Sequence, residues 1–375
     1  MINLGALILL VLLAGAMVYS LLALRAAFLY LAVRPPAATS SEPISILKPL
    51  AGADLDLESN LRTFFEQQYP AFELLFAVRE RSDPAVAVVE KLLHDYPQIP
   101  AQLFVTGEPP YPNAKAFSLD RMLQAAAHDL VVMSDSDTRV TPSLLHTISA
   151  EFADPTLAVS TCPYRAVPGD SLWSRLDATG MNTDFIAGIL VARMLEGMKF
   201  AVGPTIAARR SAVESIGGFA GLKDYLAEDF VLGKFASEAG YGVALSSHVI
   251  EHHIGDCTLA ENIAHRLRWA RSTRRSRRTG YVGQLFAMPF PLALLACTIV
   301  PRLWPVALLT VGLRGVAAYL VSTRVLRARI NWFLLPVEDV LGFVFWIAGF
   351  FGDTVIWRGR KYRLHGDGRF ELLAR

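Results

Sequence analysis

The stretch "VVMSDSDTRV", Val131 to Val140, carries an apolar run straight into two aspartates separated by one residue. Val131 to Met133 have the character of a strand buried on both faces. Asp135 and Asp137 fall where that strand leaves its sheet. In extended chain, residues i and i+2 point the same way, so both carboxylates are expected to aim at one point. Two hard oxygen ligands on one side suit Mg2+ or Mn2+, with the remaining positions left to substrate phosphates. A polar turn that merely ends the strand accounts for the same residues without any chemistry.

Two later stretches add charge of both signs. "YLAEDFVLGKF", Tyr225 to Phe235, puts Glu228 and Asp229 before an apolar helical stretch. The plain account is an acidic first turn favoured by the helix dipole. "HRLRWARSTRRSRRTGY" gathers Arg266, Arg268, Arg271, Arg274, Arg275, Arg277 and Arg278. Such a cluster beside a membrane segment is drawn to anionic lipid by about 1 kcal/mol per charge. Sparse aromatic residues and the adjoining membrane segment argue against nucleic acid. Trp269, next to Arg268, is placed to hold a guanidinium or pack against a substrate.

The elements that must position these groups show an alternating rhythm. "ISILKPL", "FELLFAV", "AQLFV" and "DLVVMS" read as short apolar strands. Between them, "LDLESNLRTFFEQQY" sets Leu57, Leu61, Phe64 and Phe65 on one helical face. "SDPAVAVVEKLLHDY" opens on a cap, Ser82 or Asp83, and then Pro84. "KAFSLDRMLQAAAH" is the third helix. Alternating strands and helices imply a mostly parallel sheet covered by helices, and such sheets bind ligands at the carboxyl ends of their strands.

The chain has 375 residues, 53% of them hydrophobic, and a formal net charge of +2. It is too apolar for an ordinary soluble domain and too charged for a pure membrane bundle. Near-neutral charge implies no global polyanion partner. Cys162, Cys257 and Cys297 are far apart and form neither a CxxC pair nor a zinc spacing. Apolar residues concentrate at the two ends. Leu4 to Leu24 suffice to cross a hydrocarbon core of about 30 Å, and lack the charged start and short core of a cleaved signal peptide. Arg25 and Arg34 place the next segment of chain in the cytoplasm. From Leu285 to Ile356, two segments split by Pro301-Arg302 read as a hairpin of spanning helices. The third, "NWFLLPVEDVLGFVFWIAGFFGDTVIW", reads either as a further span or as a re-entrant piece in the interface; arginines that favour the cytoplasm flank both its ends, so it is expected not to cross. Its Glu338, Asp339 and Asp353 are expected to face protein or water.

Taken in order, "ISILKPL", the aspartate of "RSDPA", "SDSDTRV", "AEDF" and "RLRW", with a hydrophobic tail after them that includes "WRGRKYRL", resemble the ceramide glucosyltransferases. These are family-21 glycosyltransferases, close to the large family-2 group. The hopanoid-associated bacterial glycosyltransferases look similar too, especially around "LRWARSTR" and "GYVGQ". The resemblance runs from about residue 40 to the carboxyl end. It implies an α/β GT-A (Rossmann-like) fold, inverting chemistry and a nucleotide-sugar donor. The donor would be UDP-glucose for ceramide or UDP-N-acetylglucosamine for a hopanoid.

The resemblance also implies roles. Asp83 matches the first aspartate, on the uracil and ribose side of the donor. Asp135 matches the second, which helps to hold diphosphate and metal. Asp137 departs from the eukaryotic ceramide pattern, where the position is often not acidic, and is taken as a supporting metal ligand. Asp229 matches the third, the general base, with Glu228 beside it. Arg268 and Trp269 match the end of the (Gln/Arg)-x-x-Arg-Trp motif. Its first position is His265, neither Gln nor Arg, so either His265 substitutes as a donor or Arg266 acts one residue away. Lys115, in "NAK", falls in the donor-side segment.

The expected organisation is a transmembrane helix over 1–33, a linker over 34–43, a GT-A domain over 44–284, membrane helices over 285–357 and a basic cytoplasmic tail over 358–375. The expected protein is a multi-pass enzyme of a bacterial-type inner membrane, with its catalytic domain in the cytoplasm. It would move one sugar, glucose or N-acetylglucosamine, from a UDP-sugar to a lipid hydroxyl of ceramide or a hopanoid such as bacteriohopanetetrol. A processive polysaccharide synthase shares these motifs but usually needs more spanning helices. A catalytically silent membrane scaffold would not need Asp135, Asp229 and Arg268 intact.

Overall fold

A computed structural model describes residues 4–34, 41–53, 56–357 and 360–373. Residues 35–40 of the expected linker and Arg358 of the expected tail lie outside the described residues. In chain order the strands are β1 (Ile44–Pro49), β2 (Phe72–Val78), β3 (Ala101–Val105), β4 (Leu130–Ser134) and the short β5 (Thr138–Arg139). Then come β6 (Leu157–Thr161), β7 (Tyr164–Pro168), β8 (Thr205–Arg209), β9 (Gly242–Leu245) and β10 (Ile250–Gly255), and near the end β11 (Thr354–Trp357), β12 (Arg360–Leu364) and β13 (Phe370–Leu372). The main sheet has seven strands in the order β3-β2-β1-β4-β8-β6-β9. All neighbours in it are parallel except β8, which runs against β4 and β6. The four strands read from the sequence are its first half.

Burial explains why those strands read as unbroken apolar runs. Strands β2 and β4 are buried along their whole length, whereas β3, at the edge, is only partly so. Alternate residues serve opposite faces. Ile46, Leu74 and Val132 meet the first two helices of the domain, and Leu47, Leu75, Val131 and Met133 meet the opposite layer.

The helices in chain order are α1 (Leu4–Leu31), α2 (Leu57–Phe65), α3 (Ala85–Asp95), α4 (Ala114–Ala125), α5 (Leu144–Glu151), α6 (Leu172–Gly180) and α7 (Ile186–Glu196). After them come α8 (Arg210–Ser215), α9 (Glu228–Glu238), α10 (Leu259–Ser276), α11 (Arg278–Gly283), α12 (Pro289–Ile299), α13 (Trp304–Tyr319) and α14 (Leu334–Gly349). Helices α2, α3 and α5 cover one face of the sheet, and α4 and α9 the other. The face expected for α2, made of Leu57, Leu61, Phe64 and Phe65, is buried.

Among the described residues, two helical stretches are long and apolar enough to cross a membrane, Leu4–Leu31 and Pro301–Val325. Arg278–Ala287 and Pro289–Ile299 together pass the same test as one broken span or re-entrant piece, bent by 57°. The carboxyl end of α1 is fastened to the sheet domain: the Tyr30 hydroxyl donates to the Ser246 carbonyl at 2.7 Å. The short α14 places its acids against protein. Glu338 accepts from Arg266 of α10 at 2.7 and 2.8 Å. Asp339 accepts from Arg314 of α13 at 3.0 Å, and the same guanidinium pairs with Asp184 in the π turn between α6 and α7. Arg314 is 6% exposed, so losing it strands the buried Asp339 and the partly buried Asp184. Arg314→Ala is expected to cost about 3–5 kcal/mol, read as a lowered unfolding midpoint of the purified protein. Arg314→Met combined with Asp184→Asn and Asp339→Asn should recover most of it.

The arginine cluster also works internally. Arg271 Nε donates to the Phe351 carbonyl at 3.1 Å and Arg274 Nη2 to the Gly352 carbonyl at 2.9 Å. Both hold carbonyls of the turn that follows α14. Beyond it the chain does not trail off as a basic tail: β11, β12 and β13 form an antiparallel meander. Tyr362, Leu364 and Phe370 alternate with charged residues, and together with Val355 they form the one buried face.

Candidate active site

The aspartates at the end of β4 are arranged by a turn rather than by strand pleat. Residues 136 and 137 turn the chain from β4 into β5, and the Thr138 hydroxyl closes it by donating to the Asp135 carbonyl at 2.8 Å. The extended-chain argument therefore does not apply to this segment, and each carboxylate has its own partner. Asp135 Oδ1 lies 2.7 Å from Lys115 Nζ. Asp137 Oδ2 lies 3.1 Å from His252 Nε2 on β10. Asp137 still stands near enough to Asp135 that, after burial, its charge helps to raise the Asp135 pKa.

Lys115 joins two distant acidic segments. It lies in the first turn of α4, whose N-cap Asn113 accepts from the Ala116 N–H at 3.0 Å. Its ammonium also reaches Glu228 Oε1 at 2.9 Å. Burial opposes that charge, but Asp135 and Glu228 outweigh it and hold the ammonium above its ordinary pKa. Asp229 comes next, in the first turn of α9. Its Oδ2 accepts from the Gly203 N–H at 2.9 Å and its Oδ1 from the Phe230 N–H at 2.7 Å. Burial first, then Glu228, raises the Asp229 pKa to about 6, against Lys115 and the two amides. Gly203 is at φ +87°, and a Cβ there would come within 2.7 Å of the Tyr164 ring. Lys115, Asp135, Gly203, Pro204, Glu228 and Asp229 line one cleft.

Asp83 is not among the residues lining that cleft. At the head of α3 its two oxygens accept from the Gly52 N–H at 3.1 and 3.0 Å, and Oδ1 also accepts from the Ala85 N–H at 2.9 Å. It ties the loop after β1 to the helix after β2. Helix α10 carries the remaining expected residues. His265 Nδ1 is 3.1 Å from Asp177 Oδ2, and Arg266 is held between Asp177 and Glu338. His265 is thus engaged with α6, and Arg266 with both α6 and α14. Arg268 lies on the same helix. Trp269 packs on Phe185 (5.1 Å between ring centroids), Phe185 on Tyr164 (5.6 Å) and Tyr164 on His252 (5.3 Å). A file of rings therefore connects Trp269 to the Asp137–His252 pair.

Three residues of this site escaped the sequence reading. Lys48 is fully buried in β1. Its ammonium donates to the Asp135 carbonyl, to Ser134 Oγ at 3.3 Å and to Thr138 Oγ1 at 3.2 Å, and sits 3.9 Å over the Phe64 ring. Burial lowers its pKa to about 7, against the pull of Asp135 and Asp137. A lysine inside the apolar run "ISILKPL" was the available signal, because an unpaired buried lysine is too costly to keep. His252 and Tyr164 left no comparable mark.

Among the described residues, no three His, Cys, Asp or Glu side chains converge closely enough to hold a metal alone. The donor set nevertheless suits a hard divalent cation shared with phosphate oxygens. Asp137 Oδ1 is buried with no hydrogen-bond partner, and its other oxygen is oriented by His252.

A mostly parallel sheet with one reversed strand, and acids gathered at the carboxyl end of its central β4, defines the GT-A class of glycosyltransferase. Within that class the chain belongs to glycosyl transferase family 21, whose family model matches residues 7–370. Ceramide glucosyltransferase 1 of Caenorhabditis elegans is 30% identical over 207 residues, 55% of this chain and 44% of the relative. Ceramide glucosyltransferase 3 of the same organism is 26% identical over 241 residues, 61% of this chain and 50% of the relative. The chain thus spans about half the length of the curated relatives it matches. Among solved structures, mannosyltransferase PcManGT from Pyrobaculum calidifontis, in complex with GDP-Man and Mn2+, is 20% identical with a TM-score of 0.49, covering 89% of this chain and 98% of that one.

Proposed function

We propose that this chain is a membrane-bound inverting glycosyltransferase that moves one glucose from UDP-glucose to the hydroxyl of a ceramide-type lipid. The observation that carries the reading is the convergence of Asp135, Lys115, Glu228 and Asp229 on one cleft. The names of the relatives support the choice of sugar and lipid. In this reading residues 44–284 are the catalytic domain, on the cytoplasmic side of a bacterial-type inner membrane. Helix α1 and the helices of 285–357 anchor it in the bilayer as a multi-pass protein.

The chemistry divides among the chain's own groups. Asp229 accepts the proton of the lipid hydroxyl as oxygen attacks the anomeric carbon from the face opposite UDP. A pKa of about 6 leaves it ionised at neutral pH yet more basic than an ordinary aspartate. The Gly203 N–H fixes its direction. Lys115 stands by Asp135 to meet the donor's diphosphate, and Arg268 and Trp269 meet it from α10. Asp83 orders the loop after β1 on the uracil and ribose side. His265 and Arg266 take the positioning part, holding α10 on α6 and α14. Asp135 and Asp137 would hold Mg2+ or Mn2+, which when bound supplies positive charge against the departing UDP. Holding donor and acceptor together supplies much of the remaining acceleration.

The test is mass spectrometry of lipids from a host making this protein and fed ceramide or bacteriohopanetetrol, with UDP-glucose and UDP-N-acetylglucosamine both available. Monoglucosylceramide is the expected product. N-acetylglucosaminyl bacteriohopanetetrol would replace the ceramide reading with a hopanoid one. A polymer would mean a processive synthase, and no sugar-bearing product would mean a scaffold.

A further inference from the structure

Strands β11, β12 and β13 have no task in the transfer chemistry, yet they pack against the segment that leads into Asp229. The meander of β11, β12 and β13 does not close a core by itself. Val355, Tyr362, Leu364 and Phe370 surround Leu226, which is 6% exposed and lies three positions before Asp229. Backbone bonds repeat the connection. The Phe370 N–H donates to the Asp224 carbonyl at 2.8 Å, and Tyr225 pairs with Arg369 as an antiparallel bridge. The Arg369 guanidinium lies 5.7 Å from the Tyr225 ring centroid and its Nε donates to the Tyr225 hydroxyl at 3.3 Å.

The same segment is held from the other side by the helix that carries Lys115. The Asn113 N–H donates to the Lys223 carbonyl at 3.2 Å, and Asn113 Nδ2 to the Tyr225 carbonyl at 2.8 Å. Residues 223–226 are thus strung between the start of α4 and the meander, and run directly into the first turn of α9. The meander is in turn tied to the arginine-rich region: Arg278 Nη2 donates to the Gly366 carbonyl at 3.3 Å, and Arg271 Nη1 to the Thr354 carbonyl at 2.5 Å.

We propose that the carboxyl-terminal meander is the positioning element for the Glu228–Asp229 turn, with Arg369 and Phe370 as positioning residues that hold 224–226 so that Asp229 meets the acceptor hydroxyl. The inference rests on the reading of Asp229 as the base. Loosening the clamp displaces Asp229 while Asp135 and Asp137, at the end of β4, keep their places, and Lys115 keeps its pairing with Asp135, so its mark is a fall in kcat much larger than any change in KM for the donor. A displacement near 1 Å at a reacting group costs about 10²-fold.

The test uses full-length protein in nanodiscs, with Arg369→Gln and Phe370→Ala compared to native and Phe370→Leu. Hydrogen exchange is monitored at 224–231 and 130–138, and kinetics use UDP-glucose with a short-chain ceramide. Expected for Phe370→Ala are about tenfold faster exchange confined to 224–231, a kcat lower by about 10–100-fold, and a donor KM within about threefold of native. Arg369→Gln, at a half-exposed side chain, should shift both in the same direction by less, and Phe370→Leu should restore most of the rate. Unchanged exchange at 224–231, an unchanged kcat in both variants, or faster exchange throughout the domain overturns the proposal. If native protein itself shows no turnover with these substrates, the glucose-to-ceramide reading falls, and the exchange pattern alone decides whether the clamp exists.

Discussion

Asp229→Asn should lower turnover by about 10²–10⁴-fold, the range that a positioned general base contributes, while UDP-glucose binding stays near native. Asparagine fills the same space and its side-chain oxygen still accepts from the Gly203 amide, but it cannot take a proton. The pH dependence of the native enzyme should agree. Burial and Glu228 raise the Asp229 pKa to about 6. The base is active only when deprotonated, so kcat should fall as pH drops through about 6 and level off above it. The Asn variant should lose this acid limb. Turnover within threefold of native in Asp229→Asn, or an acid limb that persists in it, would refute the assignment of the base.

The second large effect concerns the donor. Asp137→Ala should weaken UDP binding measured with Mn2+ by at least about 10–100-fold, the range for removing even an outer partner of a metal ligand. Binding in the variant should also become indifferent to a chelator. Asp137 Oδ1 has no partner in the protein, whereas Asp137 Oδ2 is oriented by His252. His252→Ala should therefore show a smaller loss in the same direction. Calorimetry of UDP binding with and without Mn2+ reads both. Native binding that does not respond to Mn2+ or to chelation would remove the metal from the scheme.

The first half of the main sheet could be read from sequence because β1, β2 and β4 are buried on both faces and the edge strand β3 is a short apolar run between turn residues. β2 and β3 match the quoted apolar runs residue for residue, and β1 and β4 to within one. The reversed strand β8 left no local sign of its direction, which depends on which neighbours it pairs with. Residue type gave away the acids at the end of β4 and the start of α9. The turn in the DxD segment left no local sign, since an extended chain and a tight turn can carry the same four residues.

The amino-acid sequence alone determined the membrane-crossing capacity of α1, the helix-covered parallel sheet and the identities of the acids, because periodicity and composition act within a dozen residues. Tertiary structure alone decided which distant groups meet: Asp137 with His252 across 115 positions, Lys48 with the Asp135 carbonyl across 87, and Leu226 with the meander. Such encounters depend on how buried charge and apolar surface are satisfied in three dimensions at once, and no local pattern records them.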